Sequence, residues 1–421
     1  MNTALLRFVN LSLRGSTLAS KFLLIFFLAR YAQPEEVGLY GLIAVTVSYG
    51  LYFLGFDFYM FTTRELLGNG HAVWGRFLKS QVGLSAILYC IFLPASVVLF
   101  VIGLLPWWVL PWFMALLVLE HVTQELNRLL VALSRQLMAS WVLFFRSGFW
   151  AVVVVIVMHF NADLRGLETV LWAWIASAFL AAMIGVYTIH RVDAGGWQDA
   201  IDWQWVRRGL KIAIPMLVAT LALRGLYTVD RYWFEALMGL DVLGAYVLFV
   251  GICNALLSFM DAGVFTFLYP PLIAANANRN ASEFRRRFRQ LALQTCALIA
   301  LFSLLAWFAV GPLLQWLERP LYSEHQYLFG WLLLANALFI LSMVPHFGLY
   351  ARGKDRPIIA SHLVGLAVFI GATAFYSRYW PPLAVPYGLV TAFASILVLK
   401  SWQFYRLTPR SWWRAAEFRE D

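Results

Sequence analysis

The chain has 421 residues, of which 62% are hydrophobic, 17% are aromatic and only 13% are charged. A soluble domain carries about a quarter charged residues to cover its surface, so this composition excludes a water-soluble fold. The 32 Lys and Arg outnumber the 22 Asp and Glu, which gives a formal net charge of +10. The three cysteines show no CxxC or Cys/His spacing, so neither a disulfide nor a metal site is expected.

Twelve apolar runs approach the length of about 20 residues that a membrane-spanning helix needs. They are Leu11–Tyr31, Val37–Phe61, Val82–Leu105, Trp108–Leu133, Ser140–His159, Leu167–Ile189, Leu210–Leu237, Leu243–Tyr269, Leu291–Leu314, Tyr327–Tyr350, Ile358–Tyr379 and Val385–Phe404. The prediction is an all-α polytopic membrane protein with twelve transmembrane helices in two six-helix bundles. The expected domains are an N-terminal bundle (1–195), a cytoplasmic interfacial linker (196–209), a C-terminal bundle (210–404) and a cytoplasmic tail (405–421).

The ends of the first bundle carry two further signals. Arg14 and Lys21 interrupt the first apolar run and no small-residue cleavage site follows it, so a cleavable signal peptide is not predicted. Between the bundles lie Trp197, Trp203 and Trp205, which are expected at the membrane–water interface because tryptophan is enriched there.

The positive charges are distributed unequally between the two sides of the membrane. The N-terminus, the even-numbered loops and the C-terminus hold 22 Lys and Arg, whereas the other side holds four. Because cytoplasmic loops are enriched in Lys and Arg, both termini are predicted to be cytoplasmic. Topology and attraction to lipid headgroups explain these 22 charges, which include Arg7, Arg410, Arg414 and Arg419.

Six cations lie within the predicted spans instead: Arg14, Lys21, Arg146, Arg224, Arg231 and Lys400. Lys400 is close to the end of the last span and is expected to snorkel to the interface. A charge near the bilayer centre costs about 2.5–3.5 kcal/mol even on the lenient insertion scale, so the other five are expected to face protein or water.

Two spans carry matching polar stripes. Their members are Asn10, Arg14, Thr17 and Lys21 in the first span and Thr220, Arg224, Tyr227 and Arg231 in the seventh, 210 residues later. Steps of 4, 3 and 4 residues place side chains on one helix face. Gly38-Leu39-Tyr40 is echoed 206 residues later by Gly244-Ala245-Tyr246. The two halves are interpreted as a parallel duplication, a pattern typical of transporters.

The two stripes predict a positively charged chamber with low-dielectric walls, where an anion is attracted more strongly than in water. Arginine can grip phosphate with two hydrogen bonds, so the expected ligand is an anionic head group. The candidate ligand-binding residues are Arg14, Lys21, Arg146, Arg224 and Arg231. The alternative is internal pairing, in which Asp57, Asp230 and Asp261 neutralise these cations.

The fourth span is unusually polar, with Glu120 on one face and Glu125 and Arg128 on a neighbouring one. Either carboxylate could bind a coupling H+ or Na+, because an ionisable residue inside a membrane is a functional candidate by default. The open alternative for Glu125 and Arg128, three residues apart, is a structural pair. His121, His346 and His362 are expected to be helix-packing residues.

Several short motifs carry a family resemblance. They are Leu28-Ala29-Arg30-Tyr31-Ala32-Gln33-Pro34-Glu35-Glu36-Val37-Gly38-Leu39-Tyr40, Glu125-Leu126-Asn127-Arg128-Leu129-Leu130-Val131-Ala132, Val229-Asp230-Arg231 and Gly244-Ala245-Tyr246. Together with the twelve-span layout, they resemble the polysaccharide transporters, the Wzx-type O-antigen flippase branch of the multidrug, oligosaccharidyl-lipid and polysaccharide (MOP) exporter superfamily. The first span lacks a clear counterpart of the Arg-Asp signature of lipid II flippases, which disfavours a peptidoglycan precursor as substrate.

The resemblance implies a V-shaped pair of bundles in the bacterial inner membrane, with the first, second, seventh and eighth spans lining a cavity. It implies transport of an undecaprenyl-pyrophosphate-linked oligosaccharide to the periplasmic leaflet, with bilayer lipids and other polysaccharide-assembly proteins as the remaining partners and no nucleic acid. The expected head-group path is Arg14, Lys21, Arg64, Arg146, Arg224 and Arg231. Ion coupling or gating is expected at Asp57, Glu120, Glu125, Asp230 and Asp261, with no cofactor beyond H+ or Na+.

Two other functions remain open. A multidrug cation antiporter could use the same fold, although a cationic chamber should repel its substrates. A membrane glycan polymerase or ligase would need catalytic residues on a sizeable outer loop, and every predicted outer loop is short. The chain is therefore not expected to be an enzyme. No Walker motif is present, so ATP is not an expected energy source.

Overall fold

The computed structural model describes residues 3–192, 194–409 and 412, with the side chains of 9–10 and of residues from 12 onward. Arg410, Arg414 and Arg419 lie outside the described residues, and so does the side chain of Arg7. The protein is 88% helical, and the described part contains no strand. This confirms the predicted all-α polytopic fold class.

The helices are α1 (Thr3–Tyr31), α2 (Pro34–Gly55), α3 (Tyr59–Gly68), α4 (Trp74–Ser96), α5 (Val98–Val101), α6 (Leu110–Ala132), α7 (Gln136–Phe144), α8 (Trp150–Phe160), α9 (Leu167–His190), α10 (Trp203–Met238), α11 (Leu240–Met260), α12 (Thr266–Ala277), α13 (Ala281–Leu317), α14 (Pro320–Glu324), α15 (Tyr327–Ala351), α16 (Asp355–Tyr376) and α17 (Pro381–Leu407). Short 3-10 turns cover His71–Val73, Trp107–Val109 and Ala162–Leu164. Single π-helical turns, Phe145–Phe149 and Asp261–Phe265, join α7 to α8 and α11 to α12.

Eleven helical segments of the described chain are long and apolar enough to cross a bilayer. The predicted fourth span corresponds to α6, which has 23 residues. It falls outside that set because its polar residues, among them Glu120, Glu125 and Arg128, lower its mean hydropathy. The predicted second span is interrupted where Phe56 and Asp57 adopt left-handed backbone angles, with φ of 50° and 51°. α10 and α13 reach 36 and 37 residues because their polar first turns continue the helix beyond the apolar run.

The Gln33-Pro34-Glu35-Glu36 motif marks the beginning of α2. Pro34 occupies the first turn, where its missing N–H costs nothing, and the acidic side chains there favour the helix dipole. Glu36 accepts hydrogen bonds from the backbone N–H of Gln33 and from that of Leu167, both at 3.0 Å. The motif therefore ends the connection between α1 and α2, and its Glu36 joins the beginning of α2 to the beginning of α9 by a hydrogen bond.

Contacts between helices divide the chain into two compact units, Met1–Arg224 and Gly225–Asp421, with the division inside α10. In the first unit, Trp205 is fully buried and its ring stacks on Phe77 with centroids 5.0 Å apart. Its indole N–H donates to Glu65 at 3.1 Å. Trp205 therefore packs inside the first unit, whereas Trp197 and Trp203 are exposed, and the interfacial position of this segment stays a prediction.

In the second unit, α15, α16 and α17 form a closely packed group. Gly348 and Gly365 lie where these helices touch, and a Cβ atom on Gly348 would come within 2.5 Å of the Phe404 ring. Small residues allow membrane helices to approach closely, and this contact replaces the hydrophobic effect as the main source of stability inside a bilayer. This group of three helices positions a cluster of basic residues described below.

Candidate functional site: buried charges in the two units

The polar stripe of α1 faces α7 in the first unit. Arg14 and Lys21 are both exposed, whereas Thr17 between them is buried and donates to the backbone carbonyl of Leu13 at 2.8 Å. The Arg14 Nε lies 3.4 Å from the Ser140 hydroxyl, which in turn donates to Asn10. Both cations of this stripe therefore remain accessible on a helix that is apolar enough to span a membrane.

Arg146 pairs with Glu120. The π-helical turn Phe145–Phe149 presents the guanidinium of Arg146, whose Nε donates to Glu120 at 2.7 Å. The other oxygen of Glu120 accepts from the Trp174 indole at 2.7 Å, and the residue is only 6% exposed. Both oxygens of this buried carboxylate are therefore satisfied, as a charge inside a helix bundle requires.

Lys21 and Tyr40 lie beside this pair. Lys21 is within electrostatic range of both Arg146 and Glu120, and Tyr40 is within range of Glu120. The Tyr40 ring packs against Trp174, with centroids 6.3 Å apart. Lys21 and Arg146 therefore lie near the same single carboxylate, and Lys21 is the exposed member of the group.

Glu125 belongs to a second acidic cluster in the same unit. Its carboxylate accepts from Arg128 at 2.7 Å and from Gln81 at 2.8 Å. Arg128 also lies over the Tyr59 ring, 3.7 Å from its centroid, and the buried Asp57 is within electrostatic range of Glu125. The structural pair considered for Glu125 and Arg128 is present in this conformation.

In the second unit, Arg231 pairs with its neighbour. Arg231 is 7% exposed and its guanidinium lies 3.1 Å from Asp230, while also donating to the backbone carbonyl of Tyr227. The Tyr246 hydroxyl donates to the other Asp230 oxygen at 2.7 Å. Arg231 therefore shows the internal pairing that was the alternative to ligand binding.

A small cavity of about 20 Å³ adjoins this pair. Its polar lining comes from Asp230, Asn254, Asn336 and Tyr227. The Asn336 carbonyl oxygen is buried and has no hydrogen-bond partner among residues 3–192, 194–409 and 412. The volume suits one water molecule or one monatomic ion. No group of three or more acidic, histidine or cysteine side chains that could hold a metal ion occurs in the described chain.

The remaining predicted residues lie elsewhere on the helices. Arg224 is exposed, and its guanidinium is 5.9 Å from the centre of the Tyr52 ring on α2. Arg64 is exposed on α3. Asp261 is exposed at the beginning of the second π-helical turn, where Thr266 donates to its backbone carbonyl at 2.6 Å.

Sequence reasoning missed a buried basic cluster in the second unit. Lys400 is fully buried and its ammonium has no hydrogen-bond partner in the described part of the chain, so the expectation that it snorkels is wrong. His346 is within electrostatic range of Lys400, and its ring lies 6.3 Å from that of His362. His346, His362 and Lys400 each lie five to seven residues from an end of their helix. This similar distance from the helix ends was the sequence signal that could have predicted the cluster.

No protein-family model matches the chain, and no curated protein does. Among solved structures, the chain is similar to an inward-facing multidrug resistance MATE family transporter of the MOP superfamily, with 14% identity, 95% of this chain and 97% of the other covered, and a TM-score of 0.64. An outward-facing MATE family transporter gives 13% identity, 94% and 93% coverage, and a TM-score of 0.55. The fold is that of MOP transporters.

A third similar structure is a MOP superfamily transporter from Pyrococcus furiosus, described as having a binding pocket of reverse polarity that suggests a different function. It shares 13% identity over 94% of this chain and 92% of the other, with a TM-score of 0.56. These solved structures are transporters rather than enzymes, and at this identity they establish the MOP fold alone. The chain is therefore an integral membrane protein of the superfamily fold that its motifs resemble.

Proposed function

We propose that this MOP-fold protein is a flippase for an undecaprenyl-pyrophosphate-linked oligosaccharide. It moves the head group from the cytoplasmic to the periplasmic leaflet by alternating access, while the lipid tail stays in the bilayer. The observation that carries the proposal is the exposure of Arg14, Lys21 and Arg224 on helices long and apolar enough to span a membrane.

Exposure matters because a cation in a membrane helix is costly unless something compensates it. The buried Arg146 and Arg231 are compensated by Glu120 and Asp230. The exposed Lys21 instead lies within electrostatic range of Arg146 and Glu120, which already neutralise each other. A pyrophosphate is a fitting ligand, because its oxygens accept several charge-assisted hydrogen bonds from Arg and Lys. Arg146 and Arg231 then act as supports of the path rather than as its first contacts.

A multidrug antiporter is the second candidate, because two of the similar solved structures are multidrug resistance transporters. An exposed cationic stripe opposes this function, since like charges repel in a low-dielectric site. The Pyrococcus furiosus protein is described as a MOP transporter with a different pocket polarity, so the fold is compatible with more than one kind of substrate.

The coupling cation, H+ or Na+, fits the small cavity of the second unit best. Asp230 supplies a carboxylate. Asn336 supplies a buried side-chain carbonyl oxygen that accepts no hydrogen bond from the described residues. In this conformation the Asp230 carboxylate is paired with the Arg231 guanidinium. Entry of a cation therefore requires the guanidinium to move, which would link ion binding to a side chain of the α10 stripe.

Reconstituted vesicles can separate the two candidate functions. Purified full-length protein is placed in liposomes with a polyprenyl-pyrophosphate-linked disaccharide, and accessibility of the sugar to an external lectin reports flipping. Arg14→Glu and Lys21→Glu are each expected to reduce flipping about tenfold or more, because each removes charge-assisted hydrogen bonds to the pyrophosphate. Arg208→Glu is the matched control, since this exposed cation lies in the part of α10 predicted outside the membrane.

Ethidium transport in the same vesicles tests the antiporter. The flippase proposal predicts lectin access that depends on Arg14 and Lys21, and no ethidium transport. Ethidium transport that increases in Lys21→Glu, with no movement of the glycolipid, would overturn it in favour of the antiporter. Flipping measured under imposed proton and sodium gradients, with Asp230→Asn as the variant, tests the coupling site.

A further inference from the structure

A cavity of about 330 Å³ lies on the first unit between α4, α6 and α9. Most of its wall is apolar, with Val82, Leu126 and Val186 among the lining residues. Two pairs of its polar side chains are hydrogen-bonded to each other, and Ser85 lines the cavity as well. The Tyr89 hydroxyl is 2.7 Å from His121, and Gln81 donates to Glu125 at 2.8 Å. The remaining surface therefore suits a hydrocarbon rather than a polar ligand.

The mouth of this groove is on membrane-spanning helices. Val82 is 66% exposed and Val186 is 55% exposed, and Ala86, one turn after Val82 on α4, is exposed as well. Only 17% of the most apolar part of segment His71–Val101 is buried within the protein, so the outer face of α4 is available to lipid. A ligand that enters here comes from the hydrocarbon of the bilayer.

Basic residues lie at one end of the groove. α4 begins and α9 ends there, and Trp197 closes the lining at the same end. Lys79 donates to the carbonyls of Trp197 and Asp199 at 3.2 and 2.9 Å. Arg191, at the end of α9, lies over the Tyr187 ring, 4.5 Å from its centroid.

Arg76 adds a second, independent indication at this end. Its Nε is buried and has no acceptor among the residues that the structure describes. The backbone N–H of Arg76 lies against Gly196, so the residue is at the segment that carries Trp197. Asp199 and Asp202 lie in the described part of that segment, and Asp202 accepts a hydrogen bond from the backbone N–H of Trp205 at 2.8 Å.

We infer that this groove binds one acidic phospholipid of the bilayer. An acyl chain occupies the apolar space between α4, α6 and α9, and the phosphate lies near Arg76, Lys79 and Arg191. Basic residues at the membrane surface, next to an apolar cleft between helices, recognise anionic headgroups in this way. The distribution of Lys and Arg predicts that this end is cytoplasmic. The site is independent of the substrate that the protein transports.

Photo-crosslinking tests the site directly. The full-length protein is reconstituted with phosphatidylglycerol that carries a diazirine in its acyl chain, and crosslinked peptides are mapped by mass spectrometry. Crosslinks are expected on α4, α6 and α9, and Ala86→Trp is expected to remove most of them because the indole fills the groove. Val82→Trp, at the mouth, provides a second variant. Ile91→Trp is the matched control, because Ile91 is 54% exposed on α4 and does not line the groove.

The headgroup is tested with Arg191→Gln and with diazirine phosphatidylcholine. Loss of one cation is expected to reduce capture of phosphatidylglycerol about fivefold, which corresponds to about 1 kcal/mol per basic residue at a membrane surface. Crosslinks that spread evenly over the exposed helices would show only the surrounding lipid and would overturn the proposed site. Crosslinks that are unchanged in both Ala86→Trp and Val82→Trp would have the same meaning. Equal capture of phosphatidylcholine would overturn its acidic headgroup.

Discussion

The α1 stripe and the α10 stripe place cations at matching positions but neutralise them differently. In α10, the carboxylate is the adjacent Asp230, and Arg231 is buried against it. Near α1, the carboxylate is Glu120 of α6, and it takes Arg146 as its partner while Lys21 remains exposed. A cation at matching positions can therefore be structural in one half and available to a ligand in the other. The difference depends on which helix carries the carboxylate that pairs with it.

The largest effect is expected from breaking the Glu120–Arg146 pair. Glu120→Ala should destabilise the protein by about 3–5 kcal/mol, because it leaves the Arg146 guanidinium buried without a counter-ion. The free energy of unfolding is measured by unfolding the purified protein with heat or with denaturant. The Glu120→Leu/Arg146→Met double variant should recover most of this loss, since it removes both charges together.

The control for this prediction is Glu125→Ala, whose partner Arg128 has a 22% exposed side chain and an aromatic ring beside it. Its loss should be smaller, because Arg128 can still reach solvent and the Tyr59 face. Equal losses at Glu120 and Glu125 would contradict the distinction between a buried pair and an accessible one.

Hydrophobic runs and charge spacing were sufficient to predict the helices. The twelve runs, including the polar α6, correspond to the long helical segments, and the MOP fold agrees with the motifs. Pairing could not be predicted, because Glu120 and Arg146 are 26 residues apart and meet only through the packing of α6 on the π-helical turn. The burial of Trp205 and Lys400 was also missed, since composition near a helix end is the same for a buried and an interfacial residue.

The tyrosines of the two Gly-x-Tyr motifs sharpen the comparison of the two stripes. Tyr246→Phe is expected to cost about 1.5–3 kcal/mol, because its hydroxyl donates to the charged Asp230 at 2.7 Å. Tyr40→Phe should cost less, since Tyr40 only lies within electrostatic range of Glu120, whose two oxygens already have partners. The denaturant midpoints of the two single variants, compared with that of the unmodified protein, measure the two losses of stability. A larger loss for Tyr40→Phe would reverse the assignment of structural and accessible stripes.

The smallest effect, and one of opposite sign, is expected at Lys400. Burial of an ammonium without a hydrogen-bond partner costs free energy, and His346 and His362 beside it are bases that offer no negative charge. Lys400→Met keeps the apolar stem and removes the amine, so it should stabilise the protein by about 1 kcal/mol. Lys400→Gln is the matched comparison, because it replaces the amine with another buried polar group and should bring little or no gain. A lower unfolding temperature for Lys400→Met would mean that the amine has a favourable partner in the folded protein, and the second unit would then also hold a compensated cation outside the α10 stripe.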